Sequence, residues 1–98
     1  MPKYVFAYRA PKSYVPSQDP AVRAAWESFR DSLGNRVVDF GNPVFTASSL
    51  GTCDESTRLG GYSFVTADDL ETAVALAKGS PALAAGGGVE VGEISEVM

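Results

Sequence analysis

Tyr8 and Arg9 stand side by side at the end of an apolar run. Asp39 lies between Val38 and Phe40, just ahead of Gly41-Asn42-Pro43, and Ser80 precedes Pro81. A phenol beside a guanidinium can bind an oxyanion, one by a hydroxyl donor and the other by a charged planar fork. A carboxylate at a strand end beside a bend can act as a general base if burial raises its pKa. The competing reading leaves Asp39 in solvent, or paired with Arg36 or Arg9. Asn42 and Tyr62 add an amide and a second phenol as ligand-binding candidates. Trp26 offers a flat wall for a ligand, although a Trp on an apolar helix stripe usually packs into the core. Ser80 is a hydroxyl within reach of a ligand or simply part of a Gly-Ser-Pro helix stop. Glu90 sits on the polar side of a strand, where solvent exposure is the simpler expectation.

Other chemistry is excluded by what the chain lacks. It has no histidine and one cysteine, Cys53. The commonest general base, the commonest metal ligand and the usual triad partner are therefore missing. A serine nucleophile at Ser80 would have no base. No internal disulfide, Cys-based metal site or cofactor is expected. Gly86-Gly87-Gly88 lacks the lysine and the following helix of a phosphate loop and reads as a flexible link.

The chain has 98 residues, 45% hydrophobic and 20% charged, which suits a single domain over residues 1–98. Eight Lys and Arg against twelve Asp and Glu give a net charge of −4. The basic residues are scattered, so neither nucleic acid nor an anionic membrane is an expected partner. MPKYVFAYRAP has no apolar core of signal-peptide length, and no run of about 18 apolar residues exists to span a membrane. A cytoplasmic location is the expectation.

These side chains need a scaffold, and hydrophobic periodicity supplies one. Tyr4–Tyr8 is an apolar, β-rich run and reads as a central strand covered on both faces. Residues 10–18, with two prolines, read as a loop. Asp19-Pro20 is an N-cap with proline at the first helical position. Val22, Trp26, Phe29 and Leu33, with Ala25 beside them, then form one apolar stripe, and Gly34 ends the helix. Arg36–Phe40 reads as a second strand, with Val44–Thr46 continuing it beyond Gly41-Asn42-Pro43. Residues 47–59 read as a long excursion or loose hairpin, of the kind that is often functional or mobile.

Gly61–Val65 reads as the third strand. Thr66 or Asp68 is expected to cap the next helix, with Asp68 and Glu71 at capping-box spacing. Leu70, Ala73, Val74 and Ala77 form its apolar stripe, and Gly79 stops it. Val89–Ile94 alternates apolar and polar, which predicts a fourth strand with one covered face. The order β-α-β-β-α-β is that of an α+β, ferredoxin-like fold with two helices on one face of an antiparallel sheet. The other face stays open. Depending on register it carries Phe6, Tyr8 or Tyr62, and a symmetric homodimer is the simplest way to cover it.

YVFAYRAP, WESFRDSLG, VVDFGNPV, LGGYSFVTADDLETAVALAKGSP and GGGVEVGEI occur in an order and spacing that resembles the YCII-related family, including its DGPF-type branch. The resemblance runs over almost the whole chain. It implies the dimeric α/β-barrel arrangement, in which the sheets of two subunits face each other. It also implies a cleft near the first helix, the second strand and the loop after the second helix. The family pattern places a His, in an R-x-x-H context, and an Asp as an acid/base pair. Here Arg23-Ala24-Ala25-Trp26 occupies that stretch, so Trp26 stands where the His would be. Ser80-Pro81 stands where the family has Asp-Pro or Cys-Pro. The expected function is binding of a small molecule or partner in that cleft without His-dependent catalysis. The alternative is a metal-independent lyase or isomerase using Asp39 as acid/base on a small aromatic or carboxylated compound.

Overall fold

A computed structural model describes residues 1–15 and 19–96, so residues 16–18 of the expected 10–18 loop lie outside the described residues. The strands β1 (Lys3–Pro11), β2 (Val37–Asp39), β3 (Thr57–Thr66) and β4 (Gly88–Glu93) pair antiparallel in the order β2-β3-β1-β4. The helices α1 (Pro20–Leu33), α2 (Leu70–Ala77) and the short α3 (Pro81–Ala84) pack on one face. This is the ferredoxin-like arrangement with one added helical turn. Among the described residues, no helix is long and apolar enough to cross a membrane.

β1 is central, as its composition predicts, and its parity sets the core. Tyr4, Phe6 and Tyr8 point at the helices and are buried. Gly61, Ser63 and Val65 do the same from β3, and the partly buried Val89 and Val91 of β4 pack against that core. Phe6 and Tyr8 therefore do not face the open side, which is one of the outcomes the sequence left unresolved. Val5 pairs with Phe64 and Ala7 with Tyr62 on that side, so it carries the half-buried Tyr62 and Phe64 rings, 5.7 Å apart.

α1 begins as its cap predicts. The Asp19 carboxylate accepts from the Ala21 amide at 2.9 Å, and Pro20 takes the first helical position. Gly34, at φ +59, closes it with its N–H on the Arg30 carbonyl. Phe29 and Leu33 are buried, whereas Val22 and Trp26 are half-buried and Ala25 is exposed. Burying Phe29 contributes roughly 1.5–3 kcal/mol.

The second strand is shorter than the alternation predicts. Arg36 closes a 3-10 turn, and Phe40 leaves the sheet and turns inward against α1. The edge resumes at Pro43, bridged to Gly61, and at Val44, whose amide donates to the Gly60 carbonyl at 3.0 Å. Between them Gly41 adopts φ +76, and a Cβ there would collide with the Tyr62 carbonyl. Only glycine meets both demands. The third strand starts at Thr57, four residues before the predicted Gly61, so the loop shortens accordingly.

α2 differs from its predicted stripe. Asp69 caps it, accepting from the Thr72 amide at 2.7 Å, in place of Thr66 or Asp68. Ala73 and Ala77 are buried and Leu76 packs beside them, while Leu70 and Val74 remain 49% and 40% exposed. The methyl-sized side chains at 73 and 77 take the buried positions, and the larger Leu70 and Val74 point outward. Gly79 is followed by a new helix rather than a loop. Ser80 caps α3, accepting from the Ala82 amide at 3.2 Å, with Pro81 at its first position. Ser-Pro, read as part of a stop, is also a start signal.

Candidate functional site

The candidate residues fall in separate places. Behind α1, Trp26 meets Tyr8 edge to face, with ring centroids 4.8 Å apart and an interplanar angle of 74°. Trp26 also packs on Phe29 and Phe40. Arg30 lies 5.6 Å from the centre of the Phe40 ring, within cation–π range. The space between the first helix and the second strand, where a cleft is expected, is thus occupied by aromatic side chains.

Tyr8 is sealed in this cluster. Its hydroxyl donates to Ser63 Oγ at 2.8 Å, and Ser63 Oγ donates to the Phe40 carbonyl at 2.5 Å. Burial pushes the Tyr8 pKa up to about 12, against a smaller lowering by the Ser63 hydrogen bond. A phenol so placed holds its proton and has already used it, so its geometry is that of a structural donor. Ser80 is buried too, with its hydroxyl taken by the α3 cap.

Asp39, Asn42 and Tyr62 gather at the β2 edge. The Asp39 carboxylate is exposed and accepts from the Gly41 amide at 2.9 Å, an Asx turn that supports the left-handed Gly41. Asn42 Nδ2 lies 3.5 Å from the Tyr62 hydroxyl. This edge carries polar groups, with Asp39 and Asn42 both exposed.

Arg9 is different, because it borders a hollow of about 530 Å³. Arg9 and Thr57 form one wall, residues 52–54 of the loop a second, and residues 87–90 at the start of β4 a third. A β-bulge between Tyr8 and Arg9 sets the geometry. Tyr8 pairs with Gly61 but Arg9 with Leu59, which leaves Gly60 as the extra residue. Bulges re-aim the side chains next to them. On its other side Arg9 pairs with Gly88.

A directed chain of hydrogen bonds holds the guanidinium. Arg9 Nε donates to Thr57 Oγ1 at 3.2 Å and Nη2 donates to the Thr57 carbonyl at 3.4 Å. Thr57 Oγ1 donates in turn to Asp54 Oδ2 at 3.0 Å. Asp54 Oδ1 accepts from the Ser56 amide at 2.9 Å and from Ser56 Oγ at 2.8 Å. The Ser56 amide, the Ser56 and Thr57 hydroxyls and, least, the Arg9 charge hold the Asp54 carboxyl below its ordinary range. Among the described residues, Arg9 has no carboxylate within ion-pair distance, the one such pair being Lys3–Glu96 at 3.1 Å.

Of the predicted residues, the structure brings only Arg9 to this hollow, joined by Glu90. Asp54 and Thr57 are the site residues that sequence reasoning misses. Their signal is the spacing in Asp54-Glu55-Ser56-Thr57, where an acid can accept from the amide two residues on and from both following hydroxyls. Among the described residues, no group of three or more Cys, Asp or Glu is placed to hold a metal ion.

The chain matches no protein-family model and no curated protein. Among solved structures it is similar to 5-chloro-2-hydroxyhydroquinone dehydrochlorinase (TftG) from Burkholderia phenoliruptrix AC1100, determined as a complex with 2,5-dihydroxybenzoquinone. The identity is 17% and the TM-score 0.57, over 95% of this chain and 93% of that one. A likeness at this identity is one of fold, and it agrees with the strand order and helix placement described above.

Proposed function

We propose that this chain is a YCII-related domain that binds a small molecule without His-dependent catalysis, working as a homodimer through the Tyr62 and Phe64 part of its open sheet face, with the Arg9 end of that face left free. The observation that carries the binding reading is the hollow beside Arg9, where a cation with no ion-pair partner among the described residues meets open space. Concave sites with a few convergent polar groups are where small ligands bind. The filled space behind α1 supports the same reading, since it leaves Trp26 and Tyr8 as packing. The half-buried Tyr62 and Phe64 on the open face support the dimer.

Cys53 lines the hollow, is exposed and is the chain's single cysteine, so it reports on occupancy. Small compounds that bind should slow alkylation of Cys53 by iodoacetamide in the native protein and not in urea. A library containing acids, amines and neutral rings that leaves the alkylation rate unchanged throughout would contradict the binding reading.

The likeness to a dehydrochlorinase favours a second reading. There, Asp39 is the acid/base of a metal-independent lyase or isomerase, with Asn42 and Tyr62 beside it. The two readings separate on Asp39→Asn, which abolishes turnover in the second and leaves binding at Arg9 intact in the first.

A further inference from the structure

We infer that the hollow beside Arg9 is selective for a small monocarboxylate, taken by the outer edge of the Arg9 guanidinium. The inference rests on the proposal that this hollow binds a small molecule, and adds the chemical class of that molecule.

The guanidinium has one edge engaged and one edge left. Nε and Nη2 both donate to Thr57, and Nη1 has no hydrogen-bond partner among the described residues. Thr57 is itself fixed by Asp54, so the fork is oriented before any ligand arrives. An oriented arginine edge matches the two oxygens of a carboxylate, and charge-assisted hydrogen bonds of this kind are the strong ones. Preorganisation removes the ordering that a mobile surface arginine would have to undergo.

The remaining charges narrow the class. Asp54 and Glu90 stand on the walls, so with Arg9 the hollow carries a formal charge of +1 − 2 = −1. That net charge opposes every anion, and a dianion such as hydrogen phosphate more strongly than a monoanion, so a single charge set on the Arg9 edge is the anion the hollow opposes least. Cys53 and Val89 supply the less polar part of the wall, which suits an acid with a short apolar body. Gly88 faces Arg9 across the strand pair, and a Cβ built on it meets nothing within 4 Å. A side chain at 88 would therefore enter the open space rather than the core.

The test is an NMR titration of the full chain, following Arg9 Nε and the Gly88 and Cys53 amides. The probes are benzoate, its neutral isostere benzamide, and inorganic phosphate. Benzoate is expected to shift all three resonances and to bind about tenfold or more tightly than either other probe. Arg9→Gln should lose that preference by a similar factor. Gly88→Val, followed by its own amide in place of the Gly88 amide, should keep the native spectrum elsewhere and block all binding. Benzamide binding as tightly as benzoate, or Arg9→Gln retaining the preference, overturns the carboxylate inference and leaves the hollow as a site. Phosphate binding more tightly than benzoate overturns the monoanion selectivity. Shifts from none of the probes, or benzoate binding unchanged in Gly88→Val, overturn both the inference and the reading on which it rests.

Discussion

Ser63→Ala is the substitution whose consequences the interior predicts most sharply. Ser63 is fully buried, and its hydroxyl accepts from Tyr8 while donating to the Phe40 carbonyl. Alanine strands two groups, the Tyr8 hydroxyl without an acceptor and the Phe40 carbonyl without a donor. Each stranded buried group costs roughly 1–3 kcal/mol. Phe40 is only partly buried, so its carbonyl falls at the low end, and the total loss is about 2–4 kcal/mol. Tyr8→Phe alone removes a donor but leaves Ser63 on Phe40, and costs about 1 kcal/mol. The double variant strands the Phe40 carbonyl only. It should therefore be more stable than Ser63→Ala alone, a coupling of opposite sign to simple additivity. Urea unfolding at one protein concentration, with m-values compared across the four chains, measures the cycle. A double variant less stable than Ser63→Ala would refute the hydrogen-bond chain and with it the structural role given to Tyr8.

Three further outcomes follow from the same geometry. Gly41→Ala should lose at least about 2 kcal/mol, since alanine resists φ +76 and its methyl meets the Tyr62 carbonyl; an equal urea midpoint would contradict this. The Tyr8 pKa is raised in the folded state from 10.0 to about 12, so the stability linked to its proton is complete below about pH 10 and is lost as pH rises through 12. Stability followed with tyrosinate absorbance should show a larger loss in the native chain than in Tyr8→Phe, where burial still raises the Tyr4 pKa. Phe64→Lys puts a charge on the open sheet face, and on the proposed homodimer sedimentation equilibrium should find a dimer for the native chain and a monomer for the variant; an unchanged mass would place any association elsewhere.

The fold was legible where a local signal has one structural meaning. Asp19-Pro20 starts a helix in any context, Gly34 ends one, and the apolar run at Tyr4–Tyr8 makes a central strand. Asp68 and Asp69 are adjacent acids of equal capping power, and Asp69 is the one that caps α2. α2 buries Ala73 and Ala77, a packing choice that hydrophobicity ranks behind Leu70 and Val74. The inward turn of Phe6 and Tyr8 depends on parity relative to the helices, which the sequence leaves ambiguous.

The site was less legible, because its parts are far apart in the chain. Arg9, Asp54, Thr57 and Gly88 meet only through the pairing of β1 with both neighbours and the bulge at Gly60. Arg9 is a candidate by its chemistry, whereas Asp54 lies in a polar stretch without hydrophobic periodicity. Trp26 could have been a ligand wall or core on the same periodicity, and contact with Tyr8, Phe29 and Phe40 makes it packing.

The most direct test of the account is backbone amide shift mapping of the native chain against a small-molecule fragment library. The compounds that bind should move Arg9, Cys53, Asp54, Thr57 and the 87–90 amides, and leave Trp26, Phe29 and Asp39 still. Shifts centred on Asp39, Asn42 and Trp26, with the Arg9 hollow silent, would contradict it and move the site to the cleft the family resemblance implies.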